Sequence, residues 1–342
     1  MSDKIHWGIL STARINRSLI PPIRQSKRSE LVAIASRSLD KAQAYAKEWD
    51  IPTAYGSYEA LLADPGIDAV YISLPNTLHC EWTVKAAEAG KHVLCEKPLV
   101  PTLAELDRIE AAAKANNVTI FEAFMYLHHP QTRGVQALVR EGKVGEVQLV
   151  TSWFSFYLPP EQSNNIRLNP ELAGGSLWDV GVYPNSMVIA MLGAAPVEVW
   201  AQQTIGETGV EVTLLGQMRF AEERNTVAPV AQIASSFRMP FRQGTEIVGD
   251  AGILTIPSPW KPGADGDDTR REDSRVTFTP RDGDPETLTF PAVDPYLCEV
   301  QAMEACILDD AEPVVPLSMS RDFLRSVLAL YKSAGSGKPV SL

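Results

Sequence analysis

Lys97 is the side chain best placed to do chemistry in this sequence, because of what stands on either side of it. Val93, Leu94 and Cys95 read as a short buried strand, with Gly90 ending the segment before it. Lys97 therefore stands at the carboxyl end of a strand, where open α/β sheets bind ligands. Pro98 fixes its own φ and keeps Lys97 extended, so the backbone aims the ammonium. An ammonium beside the Glu96 carboxylate can give up a proton, donate a hydrogen bond to a carbonyl, or form an ion pair. The residues alone leave these three open, and a surface Glu–Lys pair before a proline turn is the commonplace one.

A second group of residues concerns phosphate. Ile5–Leu10 reads as a first strand, and Ser11, Thr12, Ala13, Arg14 and Ile15 lead from it into a helix. A dinucleotide fold places glycines at that turn, so that backbone approaches a pyrophosphate at a helix N-terminus. Here the residues are small, but none is glycine. After the second strand, Leu31–Ala35, come Ser36, Arg37 and Ser38. Proteins that bind NAD carry an acid there for the ribose 2′-hydroxyl, whereas a guanidinium attracts a 2′-phosphate. The pattern favours NADP(H) over NAD(H), against the plainer reading of a solvent-exposed arginine.

The elements that must position these residues alternate through the first third. Strands at Ile5–Leu10, Leu31–Ala35, Ala69–Ser73, Val93–Cys95 and Val118–Glu122 are separated by helical stretches. Those stretches are Arg14–Gln25, interrupted at Pro21-Pro22, then Leu39–Trp49, His79–Ala89 and Thr102–Asn116. Such alternation predicts a parallel sheet covered on both faces. After about residue 145 come eight strand candidates: Val147–Phe156, Val197–Ile205, Val210–Phe220, Val230–Arg238, Thr245–Val248, Ile253–Ile256, Arg275–Thr279 and Thr287–Phe290. Strands without helices between them predict a large, mainly antiparallel open sheet. Helices near Asn185–Met191, Pro295–Leu308 and Arg321–Ser333 are expected to cover one of its faces, and Pro262–Ser274 reads as an exposed loop. The other face has no cover in this chain, so a homodimer is expected.

The expected organisation is therefore an α/β dinucleotide-binding domain at 1–125 and an α+β substrate-binding and oligomerisation domain at 126–342. The length of 342 residues suits two cores. A net charge of −11 without a basic block argues against nucleic-acid or anionic-membrane partners. The cysteines at 80, 95, 298 and 306 form no Cys-x-x-Cys pair, and the five histidines lack metal-ligand spacing, so neither a disulfide framework nor a metal is expected. With no leader-like apolar run after the first charges, a reducing, cytoplasmic location is expected.

Five segments then carry a family resemblance: Trp-Gly-Ile-Leu-Ser-Thr-Ala-Arg-Ile at 7–15, Ile-Pro-Thr-Ala-Tyr-Gly-Ser-Tyr at 51–58, Leu-Pro-Asn-Thr-Leu-His at 74–79, Gly-Lys-His-Val-Leu-Cys-Glu-Lys-Pro at 90–98, and Gly-Gly-Ser-Leu-Trp-Asp-Val-Gly-Val-Tyr-Pro at 174–184. In this order they resemble the Gfo/Idh/MocA oxidoreductases, nearest the branch of NADP-dependent dimeric dihydrodiol dehydrogenases and D-xylose dehydrogenases. The resemblance implies an N-terminal Rossmann domain and a C-terminal sheet used for dimerisation. It also implies Glu-Lys-Pro beside the nicotinamide and a cis Lys97–Pro98 bond. The family usually has glycine at position 11, and often at 13 too, where this chain has Ser11 and Ala13. Ser11 can donate to a phosphate, but its Cβ narrows backbone approach.

In the Gly174–Pro184 segment two glycines allow a tight entry, and Asp179 and Tyr183 fall on one side of a helical turn. By residue type alone, Asp179 reads as a helix cap and Tyr183 as a core aromatic. The resemblance implies that the segment carries the catalytic pair, with Tyr183 where the family usually has histidine. A phenol of pKa near 10 serves as acid–base only beside a positive charge, which Lys97 would supply, with Asp179 orienting substrate or lysine. Leu74, Asn76, His79, Glu96 and Ala123 are expected along the cofactor. Arg167 and Phe156 are expected at the substrate, with Trp153, Phe154, Phe156 and Tyr157 split between two strand faces. The implied activity is NADP(H)-dependent hydride transfer with a secondary alcohol or hemiacetal, as in an aldose 1-dehydrogenase acting on D-xylose. A trans-dihydrodiol dehydrogenase, a nucleotide-sugar ketoreductase and a non-catalytic NADP-binding regulator are the alternatives.

Overall fold

The computed structural model describes residues 4–162, 164–222, 227–264 and 271–342. Contacts divide the chain into two units, Met1–Met125 with Asp294–Ser320, and Tyr126–Val293 with Arg321–Leu342.

In the first unit β1 (Ile5–Leu10), β2 (Ser29–Ala35), β3 (Thr53–Tyr55), β4 (Ala69–Ile72), β5 (His92–Glu96) and β6 (Ile120–Ala123) form one sheet in the order β3-β2-β1-β4-β5-β6. Every pairing is parallel. Their apolar runs are continuous rather than alternating because both faces are covered. The helices are α1 (Asn16–Gln25), α2 (Leu39–Glu48), α3 (Tyr58–Leu62), α4 (His79–Glu88) and α5 (Leu103–Asn116). Ser38, Ser57 and Thr102 begin α2, α3 and α5 by accepting the amides of Lys41, Ala60 and Glu105.

Two expectations need correction here. Helix α1 runs through Pro21 and Pro22 without a break, burying Leu19, Ile20, Pro22 and Ile23. Packing of that apolar side outweighs the two amide donors that the prolines lack. The segment Asp294–Ser320 belongs with the first unit, although it was expected within 126–342. Its buried Glu304 accepts the hydroxyls of Ser26 and Ser29, and Ser29 Oγ accepts Trp7 Nε1 at 2.9 Å. Asp309 takes both terminal nitrogens of Arg28, at 2.6 and 2.7 Å.

The second unit holds α6 (Pro130–Arg140), β7 (Val147–Ser155), α7 (Val182–Leu192), β8 (Glu198–Ile205), β9 (Glu211–Arg219), β10 (Val230–Ser236), β11 (Arg242–Gly249), β12 (Gly252–Ile256), β13 (Ser274–Pro280) and β14 (Glu286–Phe290). After the helix α8 (Pro295–Leu308) of the first unit come α9 (Leu317–Ser336) and β15 (Val340–Ser341). Nine strands pair in the order β14-β13-β12-β11-β7-β10-β9-β8-β15. All neighbours are antiparallel except β7 and β10. All eight expected strands are present. Helix α7 packs on β7 and β10, and α6 on β13 and β14, whereas Pro295–Leu308, expected to cover this sheet, packs on α1 within the first unit. The expected loop at Pro262–Ser274 falls in part, at 265–270, outside the described residues.

On the sheet face away from α7, direct cross-strand partners bring Trp153, Ala234, Leu215 and Gln202 into one row and Trp200 beside Gln217. Leu215 and Val230 there remain 48% and 43% exposed.

Candidate functional site

Parallel register gathers the expected cofactor residues on one sheet edge. Leu10 is level with Ala35 and Ile72, Ile72 with Cys95, and Glu96 with Ala123. The carboxyl ends of β1, β2, β4, β5 and β6 therefore open on the same side of the first unit, each followed by a turn carrying the residues named from sequence.

Ser11 holds a φ of +97°, a conformation glycine adopts freely and serine does not. Its Oγ donates to the Ser73 carbonyl at 3.3 Å and its own carbonyl accepts Asn16 Nδ2 at 2.8 Å. The hydroxyl is thus spent on the neighbouring strand end, and main-chain amides of Thr12–Ile15 are what this turn offers a phosphate. Helix α1 begins without a side-chain cap and without an acid in its first turn, which leaves its positive end uncompensated. Arg37 is exposed at the end of β2, and its charge bears on the buried Tyr58 hydroxyl. Ser36 Oγ accepts the Ser38 amide at 3.4 Å, and Ser38 is the cap of α2. An uncompensated helix start and a guanidinium in place of an acid fit a dinucleotide bearing a 2′-phosphate.

Around Lys97 the structure is tightly specified. The Lys97–Pro98 bond is cis. Glu96 accepts the buried Tyr71 hydroxyl, and burial with that carboxylate pushes the phenol well above its ordinary value. The buried Glu122 accepts the Leu99 amide at 2.9 Å. Burial raises its carboxyl to about 7, opposed by that amide and by the positive charge of Lys97. Ala123 is buried beside Glu96, and half-buried Asn76 opens the 3₁₀ turn after β4.

His79 departs from expectation. It is 0% exposed, with Nδ1 2.9 Å from the Pro98 carbonyl and Nε2 2.7 Å from the Leu74 carbonyl. Burial lowers the imidazole's pKa, so the neutral ring donates to one of these carbonyls and packs against the other, and His79 clamps the ends of β4 and β5 instead of presenting a nitrogen to a ribose. Leu74 contributes the carbonyl of that clamp, and its side chain is buried.

In the second unit Asp179 and Tyr183 do share one helical stretch, built as a π-helical turn, Leu177–Gly181, running into α7. Asp179 Oδ2 accepts Arg167 Nε at 2.6 Å, and the Arg167 guanidinium lies 6.0 Å from the Phe156 ring. Phe156 packs on Phe237, with ring centroids 5.2 Å apart. Tyr183 is buried in an aromatic cluster: Phe154 at 5.6 Å, Trp260 at 5.5 Å and Tyr126 at 5.8 Å. Phe154 and Phe156 lie on the helix side of the sheet, and Trp153 lies on the other side under Arg242 at 4.6 Å. Arg167, Phe156 and Asp179 therefore adjoin, and Tyr183 sits among other aromatics one turn on. Sequence reasoning missed Tyr126 and Trp260; nothing in their local pattern marks them, since long-range packing brings them to Tyr183.

Residues 5–124 match the oxidoreductase family with NAD-binding Rossmann fold, and residues 132–255 match the GFO/IDH/MocA C-terminal domain. The chain belongs to the Gfo/Idh/MocA oxidoreductase family. It is 39% identical over 339 residues to D-xylose 1-dehydrogenase (NADP(+)) 2 of Haloferax volcanii, covering 98% of this chain and 99% of that one. It is 32% identical over 262 residues to trans-1,2-dihydrobenzene-1,2-diol dehydrogenase of Xenopus laevis, 75% and 76% of the two chains. The crystal structure of a 3-ketoreductase from Actinomadura kijaniata with NADP and TDP-benzene superposes with a TM-score of 0.86 at 29% identity, covering 96% and 98%. This Gfo/Idh/MocA member is accordingly an oxidoreductase, with its Rossmann domain in the first unit.

Proposed function

We propose that this Gfo/Idh/MocA member is an NADP(H)-dependent dehydrogenase or reductase acting on a secondary alcohol or hemiacetal of a sugar or cyclic diol. Oxidation of D-xylose or another aldose at C1 is the first activity to test. The observation that carries the reading is the common sheet edge, which aligns the Ser11–Ile15 turn, Arg37 and Lys97 with no acid at the end of β2. The Haloferax relative's NADP-dependent name points the same way.

Amides of Thr12–Ile15 in the Ser11–Ile15 turn at the start of α1 would hold the diphosphate, and Arg37 the 2′-phosphate. When bound, the nicotinamide supplies the hydride acceptor or donor. The chain's own part is proton transfer and orientation. Tyr183 takes the hydroxyl proton in oxidation and returns it in reduction. Lys97 lowers the phenol's pKa and donates to the same substrate oxygen. Asp179, held by Arg167, orients the substrate, with Phe156 as an apolar wall.

The sheet face bearing Trp153, Trp200, Leu215 and Val230 is assigned to a homodimer interface, which sedimentation velocity tests. A reducing, cytoplasmic setting is part of the same proposal, from four scattered cysteines with no Cys-x-x-Cys pair. Aldoses, cyclic diols and nucleotide-linked keto-sugars assayed with NADP⁺ and NADPH test the activity. Turnover of an aldose or diol supports the reading. Turnover of keto-sugars alone moves it to the ketoreductase alternative, and NADP binding without any turnover leaves a regulator.

A further inference from the structure

The π-helical turn that carries Asp179 has no cap of its own, since Ser176 at its start makes no local cap hydrogen bond. Its leading amides are taken instead by Glu211, a carboxylate on β9 that is only 3% exposed. The Leu177 amide lies 3.1 Å from Glu211 Oε1 and 3.2 Å from Oε2. Ser176 Oγ donates to Oε1, and the Tyr331 hydroxyl on α9 donates to Oε2 at 2.9 Å. Ser176 Oγ also meets Ser235 Oγ on β10 at 2.9 Å. Asp179 closes the first turn through its amide to the Gly175 carbonyl at 3.1 Å.

The second of the paired glycines, Gly175, finds its reason here. Gly175 has a φ of +133°, and a Cβ on it would stand 2.6 Å from Glu211 Oε2 and 2.9 Å from the Tyr331 hydroxyl. The turn is therefore shaped to admit a carboxylate beneath it. A buried carboxylate is costly unless its lone pairs are filled, and here four donor contacts fill them.

We propose that Glu211, anchored by Tyr331, is the positioning residue of the Ser176–Tyr183 segment, fixing where Asp179 and Tyr183 stand for proton transfer. The proposal deepens the catalytic reading above and rests on it for its functional consequence. The carboxylate accepts every donor around it, whereas the protonated acid carries a hydrogen where a donor must sit and so releases part of the turn. Burial raises Glu211 to about 7, with Ser176, the Leu177 amide and Tyr331 opposing. The titratable group facing it is Tyr331, held well above its ordinary value by burial and by Glu211 itself. A loosened turn that leaves the carboxyl buried without these donors holds its proton more tightly still, so the donor-filled turn is favoured as pH rises through about 7, although burial of the same carboxyl costs global stability over that range.

The test is hydrogen-exchange protection of the Leu177–Val182 amides, corrected for intrinsic rates, from pH 5.5 to 8.5. The native chain should gain protection with a midpoint near 7. Glu211→Gln should lower protection at pH 8 by at least about tenfold and abolish the pH dependence. Tyr331→Phe removes a donor to the carboxylate and should move the midpoint upward, which carries the test if Glu211→Gln does not fold. Protection that is unchanged in Glu211→Gln, or a midpoint unmoved in Tyr331→Phe, overturns the proposal. With any substrate found by the turnover screen, Glu211→Gln should lower kcat at least about tenfold, remove its acid limb and leave the KM for NADP within about twofold. If protection behaves as expected while Tyr183→Phe turns over normally, the catalytic reading fails and the positioning role stands. If Tyr183→Phe is inactive and Glu211→Gln is normal in protection and kcat, the positioning role alone fails.

Discussion

Arg167 Nε stands 2.6 Å from Asp179 Oδ2, so the acid of the Gly174–Pro184 segment is held by a guanidinium twelve residues upstream. Their side chains are 41% and 18% exposed, which limits the pair's contribution to stability to about 1 kcal/mol at most. The pair therefore matters for orientation more than for folding. Arg167→Ala should shift the melting temperature by no more than about 3 °C, since 1 kcal/mol moves a domain of this size by a few degrees. The KM for the sugar should rise about tenfold, with the NADP⁺ dissociation constant unchanged. Calorimetry and steady-state kinetics read the two effects separately.

Ser11 offers a test of backbone strain at the phosphate turn. At φ +97° a Cβ costs on the order of 1–3 kcal/mol, and the Oγ bond of 3.3 Å to Ser73 returns only part of it. Ser11→Gly should match or exceed the native chain in urea stability, and Ser11→Val should lose about 2 kcal/mol or more, because a β-branched residue tolerates this region least. Glycine should also tighten NADP⁺ by opening backbone approach, measured by fluorescence titration. Weaker binding in Ser11→Gly would show that the serine contributes to the phosphate site.

Arg37 tests the choice between the two nicotinamide dinucleotides. Its charge at the end of β2 has no acid beside it in Ser36-Arg37-Ser38, and a lost charge-assisted contact to phosphate amounts to about 1.5–3 kcal/mol. Arg37→Ala should weaken NADP⁺ by at least about tenfold and NAD⁺ by less than about twofold. Equal losses for both would reject the 2′-phosphate assignment.

The parts of this molecule legible in its sequence are those that local pattern determines. The five major parallel strands and the eight later ones follow from apolar runs and turn residues, and Lys97 is placed by the strand and proline around it. The short β3 and α3 carry too few residues for a period to show. Helix α1 reads as broken because its two prolines are visible locally, whereas the packing that overrides them is not. The return of Pro295–Leu308 to the first unit depends on Glu304 meeting Ser26 and Ser29, more than 270 residues away. The same holds at the site. His79 looks like a ribose ligand by position, and only the Pro98 and Leu74 carbonyls reveal it as a clamp. Glu211 is a lone carboxylate in the strand run Val210-Glu211-Val212, a signal that could have marked it before its partners were known.

Glu122 links the site to stability. Burial holds its carboxyl at about 7 in the folded chain against an ordinary 4.5, so unfolding releases its proton more readily. A raised carboxyl stabilises the fold fully below about pH 4.5, and that contribution is lost as pH rises through about 7. The shift corresponds to at most about 3 kcal/mol. Glu211, raised to about 7 by burial, contributes with the same sign. Glu122→Gln keeps an acceptor for the Leu99 amide and removes the ionisation. It should flatten, but not abolish, the fall in urea stability between pH 5 and pH 8. An unaltered pH slope in the variant would mean that Glu122 is not protonated near neutrality.

The assignment of Tyr183 and Lys97 to one proton-transfer unit makes a prediction stronger than two separate losses. Tyr183→Phe removes the proton carrier, and Lys97→Met removes the charge that lets a phenol work near neutral pH. Each should reduce kcat at least about a hundredfold with NADP⁺ binding retained. Residues acting as a unit lose their joint contribution once, so the double variant should be little slower than the worse single variant. Lys97→Met should also displace the remaining activity to higher pH, because an unassisted tyrosine ionises near 10. Multiplicative losses in the double variant would show that the two side chains act on separate steps. Such a result would leave Lys97 a role in binding the substrate oxygen and none in setting the tyrosine's acidity.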